Sequence, residues 1–228
     1  MHYYVIRRIL YLIPVMLIVV TFVFFMVHLI PGDPAAVMAG DNATKEDVEY
    51  IRHLMGLDRP IYEQYGRYVL RLLKADLGKS LFLERPVTSI IVERLEPTVI
   101  LTFFSLVVAL IIGIPAGVIA GTHPNKWSDK TTMVVAMLGI SMPSFWLALN
   151  LIYFFSLKVK LFPPGGYESI FSNPVKCIYY MLLPSISLGF ASAALVARIL
   201  RSCMIEVMNE DYIRTARAKG LRERVVIY

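Results

Sequence analysis

TVILTFFSLVVALIIGIPAGVIAG, at residues 98–121, contains no charged side chain. A transmembrane helix needs about 20 consecutive, mostly apolar residues, so this stretch predicts a membrane span. Gly113, Gly117 and Gly121 recur at every fourth position, a spacing that lets two helices approach closely in lipid. We interpret them as a packing face, with a hinge at Pro115 as the alternative. A later apolar run contains a second row of small residues at the same spacing, namely Ser185, Gly189, Ala193 and Ala197.

Three further apolar runs lie at about residues 9–30, 131–157 and 181–200. Across the chain 57% of residues are hydrophobic and 18% are charged, and the mean hydropathy is +0.62. Soluble domains contain about 45–50% apolar residues. The composition therefore predicts an all-α, polytopic transmembrane bundle with four spans. The net charge of +6 does not indicate nucleic-acid binding, because the basic residues lie near the ends of the apolar runs.

The first apolar run follows Arg7 and Arg8, as the apolar core of a signal peptide would. It is longer than the roughly 7–15 residues of such a core, and no cleavage site of small residues follows it. We therefore expect a retained first transmembrane helix.

The basic residues also indicate the orientation of the chain. Eleven Lys and Arg lie in the segments assigned to the cytoplasm, and three lie in the short outer loop at 158–180. Because short cytoplasmic segments carry the excess of positive charge, we expect a cytoplasmic N-terminus. This divides the chain into an N-terminal transmembrane helix (1–30), an external polar helical segment (31–94) and a transmembrane core (95–228) with a cytoplasmic loop at 202–228.

The external segment predicts two short helices. Thr44 fits an N-cap with Asp47 three residues later, and Gly56 fits the end of that helix. A second helix is predicted to begin at Pro60. Either a structural cap on the membrane bundle or a docking surface for a partner would account for these helices.

The middle of the third run, GISMPSFW at 139–146, is interrupted by polar residues and a proline. Such residues break the helical hydrogen-bond ladder inside the membrane. Polar atoms at this depth usually face the interior of a bundle. Residues lining a substrate path would fit this pattern, and hydrogen bonding between helices is the alternative. The candidate pathway residues are Ser141, Pro143, Ser144 and Trp146.

A polar, basic segment, DYIRTARAKGL at residues 211–221, follows the fourth run. Asn209 or Asp211 fits the N-cap of a short helix that ends at Gly220. A helix of this length is marginal in water on its own, so it requires a partner surface. A solvated basic loop at a lipid surface is the alternative.

This segment resembles the cytoplasmic loop of ABC importer permeases, in particular those of the dipeptide, oligopeptide and nickel class. At the positions where the broader superfamily has Glu-Ala-Ala, this chain has Arg214-Thr215-Ala216, as the peptide class does. Other motifs of the class occur in order along nearly the whole chain: Ile6-Arg7-Arg8, Pro31-Gly32-Asp33-Pro34, Gly56-Leu57-Asp58, Asp76-Leu77-Gly78, Gly113-Ile114-Pro115 and Ser141-Met142-Pro143-Ser144-Phe145-Trp146.

The resemblance implies the type I ABC importer permease fold in a prokaryotic inner membrane. It implies a transport subunit with no catalytic or metal-binding residues of its own. The implied partners are a second, similar permease, an external solute-binding protein, and two cytosolic ATPase subunits that hold ATP and Mg. Since such permeases have six spans, two more are expected beyond residue 228. The loop would be a coupling helix in a groove of an ATPase subunit, formed by Asp211, Tyr212, Arg214, Thr215, Ala216, Arg217, Lys219, Gly220 and Leu221.

Two other classes of membrane protein are disfavoured by the residues themselves. Secondary transporters and channels tend to carry charged residues inside the membrane, and none occurs at 98–121, 131–157 or 181–197. A membrane enzyme would need a nucleophile–base pair or a metal-ligand set, which the apolar runs lack. Transport of dipeptides or oligopeptides is favoured, and transport of nickel or another small solute by the same class is the alternative.

Overall fold

The computed structural model describes residues 2–29, 32–40, 43–80 and 82–227. Every named element within these ranges is a helix. The chain divides into two compact units, residues 1–93 and 94–228.

The first unit contains one long helix and three short ones. They are α1 (His2–Leu29), α2 (Pro34–Ala39), α3 (Lys45–Met55) and α4 (Ile61–Leu73). Helix α1 begins seven residues before the predicted start of the first span at residue 9. The predicted end of that span at Ile30, and Pro31 of the motif that follows, lie outside the described residues.

Local side-chain chemistry sets the ends of the short helices. The Thr44 backbone N–H donates to Asp47 Oδ2 at 2.9 Å, and the Asp47 N–H donates to Thr44 Oγ1 at 3.3 Å. This reciprocal capping box confirms the prediction for the start of α3. Gly56 ends α3 in the left-handed conformation, with φ +70°, and Pro60 immediately precedes α4, as predicted.

Aromatic side chains pack α4 against α1. Phe24 is buried, and its ring centroid lies 5.3 Å from that of Tyr65 and 5.6 Å from that of Tyr68. The hydroxyls of Thr21 and Tyr65 are hydrogen-bonded at 2.6 Å. One side of α4 therefore packs on α1.

The second unit contains the remaining long helices. Helix α5 (Val87–Thr122) starts before the boundary between the units, and α6 (Trp127–Ser141), α7 (Ser144–Leu151), a π-helical segment (Ile152–Lys158) and α8 (Pro174–Met208) follow. Two short helices come last, α9 (Asp211–Ala218) and α10 (Glu223–Ile227).

Among the residues that the structure describes, three helices, α1, α5 and α8, are long and apolar enough to cross a membrane. A fourth candidate is the pair formed by α6 and the stretch from α7 through the π-helical segment, which bends by 99° at a short break. The predicted helical, polytopic fold is confirmed. Helices α5 and α8 extend past the predicted spans. The start of α8 is capped by Asn173, whose side chain accepts from the Lys176 N–H at 3.0 Å.

Candidate coupling helix and pathway face

Helix α9 follows α8 after a two-residue turn, and its start differs from the prediction. Asn209 is the C-cap of α8, and its side chain donates to the Ile205 carbonyl at 2.8 Å. Glu210 takes the N-cap position without a side-chain hydrogen bond, and Asp211 is the first helical residue. Both predicted N-caps were therefore wrong, because the amide of Asn209 is already used by the helix before it.

The C-terminal end of α9 also lies slightly earlier than predicted. The helix ends at Ala218, and Lys219 is its C-cap. Gly220 has φ +80°, and its N–H donates to the Arg217 carbonyl at 2.9 Å. Gly220 therefore reverses the direction of the chain one residue after the cap. Residues other than glycine rarely adopt this backbone conformation.

One face of α9 is held by the rest of the chain and the others are open. Ile213 is 6% exposed, whereas Tyr212 is 60% exposed. Ala216 is half-buried, and the remaining predicted coupling residues are exposed: Asp211, Arg214, Thr215, Arg217, Lys219, Gly220 and Leu221. The helix therefore has an anchor on its own subunit and an accessible outer surface.

The charges of α9 are partly compensated within the chain. Arg217 Nε donates to Glu223 Oε1 of α10 at 2.9 Å, and Arg214 lies 3.4 Å from Asp211. Both pairs are largely exposed, so each contributes little to stability. Arg214 and Arg217 of this surface therefore each have a carboxylate partner in the same chain.

The two rows of small residues lie against each other across α5 and α8. A Cβ added to Gly113 would lie 2.8 Å from the Ala193 carbonyl oxygen, and one added to Gly117 would lie 2.9 Å from that of Ala197. A Cβ on Gly189 would lie 2.7 Å from the Ser105 carbonyl oxygen. The backbones approach so closely that these glycine positions have no space for a methyl group. Ser185, in the same row of α8, is 1% exposed.

The predicted break in the third span is present between α6 and α7. The Met142 N–H still bonds to the Leu138 carbonyl at 2.9 Å, and Pro143, which has no N–H, precedes α7. Ser141 and Pro143 are exposed and Ser144 is half-buried, while Trp146 is 49% exposed. The candidate pathway residues thus lie together at the bend, on a surface open in the single chain.

An ion pair between a half-buried arginine and a buried carboxylate connects α6 to α8, ten residues before the start of α9. The Asp129 side chain is 3% exposed and the Arg201 side chain 25%. Arg201 Nη2 donates to Asp129 Oδ2 at 2.7 Å, and Arg201 Nε donates to Oδ1. Sequence reasoning assigned Arg201 only to membrane topology and gave Asp129 no role. The sequence does contain a signal for this pair, because Asp129 lies at the predicted cytoplasmic end of the third span and Arg201 at that of the fourth.

At the other end of this unit, Glu96 of α5 holds the loop before α8. Its Oε1 accepts from Ser169 Oγ at 2.6 Å and from the Ile170 N–H at 3.2 Å. Two main causes raise the pKa of Tyr167 to about 12: the larger is partial burial, and the smaller is the neighbouring Glu96 carboxylate. The loop is therefore fixed to the start of the transmembrane core.

Comparison with known proteins identifies the family to which the chain belongs. Residues 113–228 match the family described as binding-protein-dependent transport system inner membrane component, and residues 1–102 match its N-terminal membrane component. The chain belongs to this family of ABC importer permeases. The permease is accordingly a multi-pass protein of the inner membrane, in a system that depends on a binding protein.

Two relatives are similar to the permease over almost its whole length. It is 42% identical to the glutathione transport system permease protein GsiC of Escherichia coli (strain K12). It is 41% identical to a putative peptide transport system permease protein of Brucella abortus (strain 2308). Each alignment covers 98% of this chain and 71% of the relative. The family match at 113–228 contains α9, the broken span and the Asp129–Arg201 pair.

Proposed function

We propose that this permease translocates dipeptides or other small peptides that an external solute-binding protein delivers. The relatives named for glutathione and peptide transport support this substrate class. Two cytosolic ATPase subunits, which bind ATP and Mg, would supply the energy, and a second, similar permease would complete the path. In this proposal the chain itself carries out no catalysis, and its N-terminus is cytoplasmic.

The accessible outer surface of α9 is the observation that carries the coupling part of the proposal. A helix of eight residues is marginal by itself, yet α9 has only Ile213 buried on its own subunit. Its small and polar residues remain available for a groove of an ATPase subunit. Closure of the ATPase dimer would displace α9, and the two-state bundle above it would open towards the outside.

Co-purification of the full-length permease with its ATPase subunits tests this role of α9. Ala216→Glu places a charge on the half-buried face, and Gly220→Asp places a side chain where φ is +80°. We expect both variants to lose the ATPase subunits while they still accumulate in the membrane. Glu206→Gln, an exposed change on α8, is the matched control and should retain them. Retention of the ATPase subunits by both α9 variants would contradict the coupling role.

Uptake by the complete importer in proteoliposomes tests the substrate class. Radiolabelled dipeptide, glutathione and nickel are offered separately, each with ATP inside and the binding protein outside. Accumulation of dipeptide or glutathione supports the proposal. Accumulation of nickel without either peptide would instead assign the permease to the small-solute branch of the class.

A further inference from the structure

The Asp129 carboxylate accepts three hydrogen bonds from two residues. Both of its oxygens accept from the Arg201 guanidinium, and Oδ2 also accepts from the Asn125 backbone N–H at 2.8 Å. Two parallel bonds from one guanidinium define an orientation as well as a distance. The pair therefore fixes how the first turn of α6 lies against α8.

The position of this pair in the fold links two functional elements. Arg201 lies seven residues before the end of α8 at Met208, and α9 begins at Asp211. Asp129 lies in the first turn of α6, whose other end at Ser141 is the broken span. The pair therefore joins the helix that leads into α9 directly to the helix that leads into the candidate pathway residues.

A third helix approaches at the same level. A Cβ added to Gly121, near the end of α5, would lie 3.1 Å from the Arg201 carbonyl oxygen and 2.5 Å from Met204 Cβ. The backbone of α8 is thus in close contact with α5 on one side and bonded to α6 on the other.

Adhesion between α6 and α8 does not depend on the pair. Further along the same two helices, a Cβ on Gly139 would lie 3.0 Å from the Phe190 ring and 3.2 Å from Ala194 Cβ. Ala136 and Ala194 are buried there. Buried ion pairs are weak contributors to stability because desolvation offsets much of their attraction, whereas they can specify a particular arrangement. The pair at the end of an already packed interface therefore fixes register more than it holds the helices together.

We propose that Asp129 and Arg201 are positioning residues that transmit movement of α9 from α8 to α6 and its broken span. This inference rests on the proposed coupling role of α9. The pair makes the end of α8 and the start of α6 move as one body, so that displacement of α9 changes the bend that carries Ser141 and Ser144. Without the ion pair, α6 follows the movement of α8 only in part. ATP is then hydrolysed without a matching amount of substrate being transported.

The test measures substrate taken up per ATP hydrolysed by the complete importer in proteoliposomes. Asp129→Asn and Arg201→Gln each remove one charge of the pair. We expect both to lower uptake per ATP by about tenfold, within the usual range for coupling between sites, while the ATPase subunits remain bound. Lys130→Gln and Arg198→Gln are exposed, charge-removing controls next to and one turn from the pair, and should keep the wild-type ratio.

Two double variants separate transmission from a merely structural role. Asp129→Arg with Arg201→Asp restores opposite charges in reversed order and should regain part of the lost ratio. Asp129→Asn with Arg201→Gln leaves no uncompensated buried charge, so it should accumulate even where the single variants do not. It should still show the lowered ratio. A wild-type ratio in this neutral double variant, or an equal loss in the two exposed controls, would overturn the proposal.

Failure of this inference is distinguishable from failure of the proposed function. If Ala216→Glu and Gly220→Asp both retain the ATPase subunits, the coupling role of α9 itself is wrong. If Ala216→Glu loses them while the Asp129 and Arg201 variants transport with the wild-type ratio, α9 is the coupling helix and the pair is only structural.

Discussion

Replacing Gly121 with alanine should separate the ends of α5 and α8 and destabilise the permease. The added Cβ would lie 2.5 Å from Met204 Cβ, whereas ordinary van der Waals contact begins at 3.4 Å. The two helices must therefore move apart by roughly 0.9 Å, the difference between these distances. A gap of that size forfeits about a quarter to a half of the dispersion attraction between facing atoms. Met204 Cβ is attached to the backbone, so rotation of the methionine side chain cannot relieve the clash.

The expected magnitude follows from two opposing effects. Overpacking a tight interface costs about 1–3 kcal/mol, and replacing glycine by alanine within a helix returns about 1 kcal/mol. The net loss is about 0–2 kcal/mol, with the upper half expected here because the contact is with backbone-attached atoms. For a chain of this size each kcal/mol corresponds to about 2–4 °C in Tm.

Thermal unfolding of purified full-length variants in one detergent provides the measurement. Gly66→Ala is the matched control, because Gly66 lies within α4 and an added Cβ would meet nothing within 4 Å. Its Tm should stay the same or rise. Gly139→Ala should fall between the two, since its nearest contact is the end of the Phe190 ring, which can rotate. A Tm of Gly121→Ala at or above the wild-type value would refute the close packing of α5 on α8, as would an equal loss in Gly66→Ala.

Three further predictions concern the polar segments. Thr44→Ala should destabilise α3 by about 1 kcal/mol through loss of the capping box, measurable as faster hydrogen exchange in that helix with unchanged exchange in α8. The hydrogen bond from Arg52 at 2.5 Å holds the pKa of Asp33 below its usual range. The ionised Asp33 therefore stabilises the fold fully above the unfolded-state pKa of about 3.9. This stabilisation is lost as the pH falls through the lowered folded-state pKa. The acid-induced loss of stability should therefore shrink in Asp33→Asn. Tyr167 should ionise near pH 12 in ultraviolet titration. The stabilisation that the neutral Tyr167 hydroxyl provides should decline as the pH rises from about 10, the unfolded-state pKa, to about 12. Glu96→Gln should bring the pKa of Tyr167 closer to about 10.

Much of the fold was predictable because the membrane limits the alternatives. Backbone groups in lipid must be satisfied within the segment, so an uncharged run of sufficient length becomes a helix whatever its neighbours do. Thr44 with Asp47, Gly56 and Pro143 likewise act through their own backbones or those of adjacent residues. The start of α9 was misjudged for a related reason: Asn209 can cap either of two helices, and its sequence position does not say which one uses it.

The candidate site was predictable only in part. The segment at 211–221 was found from its composition and from a family resemblance, and its role stays a prediction, as does that of Ser141 and Trp146. No sequence pattern distinguishes Ile213, the buried anchor of α9, from an exposed isoleucine. Burial of one residue in a short polar helix depends on the elements around it.

The sequence by itself determined where the spans lie, which of their faces are lined by small residues, and where the third span breaks. These properties depend on neighbours within a few positions along the chain. The tertiary structure alone decided that the glycines of α5 meet the alanines of α8, and that Asp129 pairs with an arginine 72 residues away. Such pairings are set by the distances and orientations that helix packing produces, because short-range dispersion and hydrogen bonds act only between atoms already brought together.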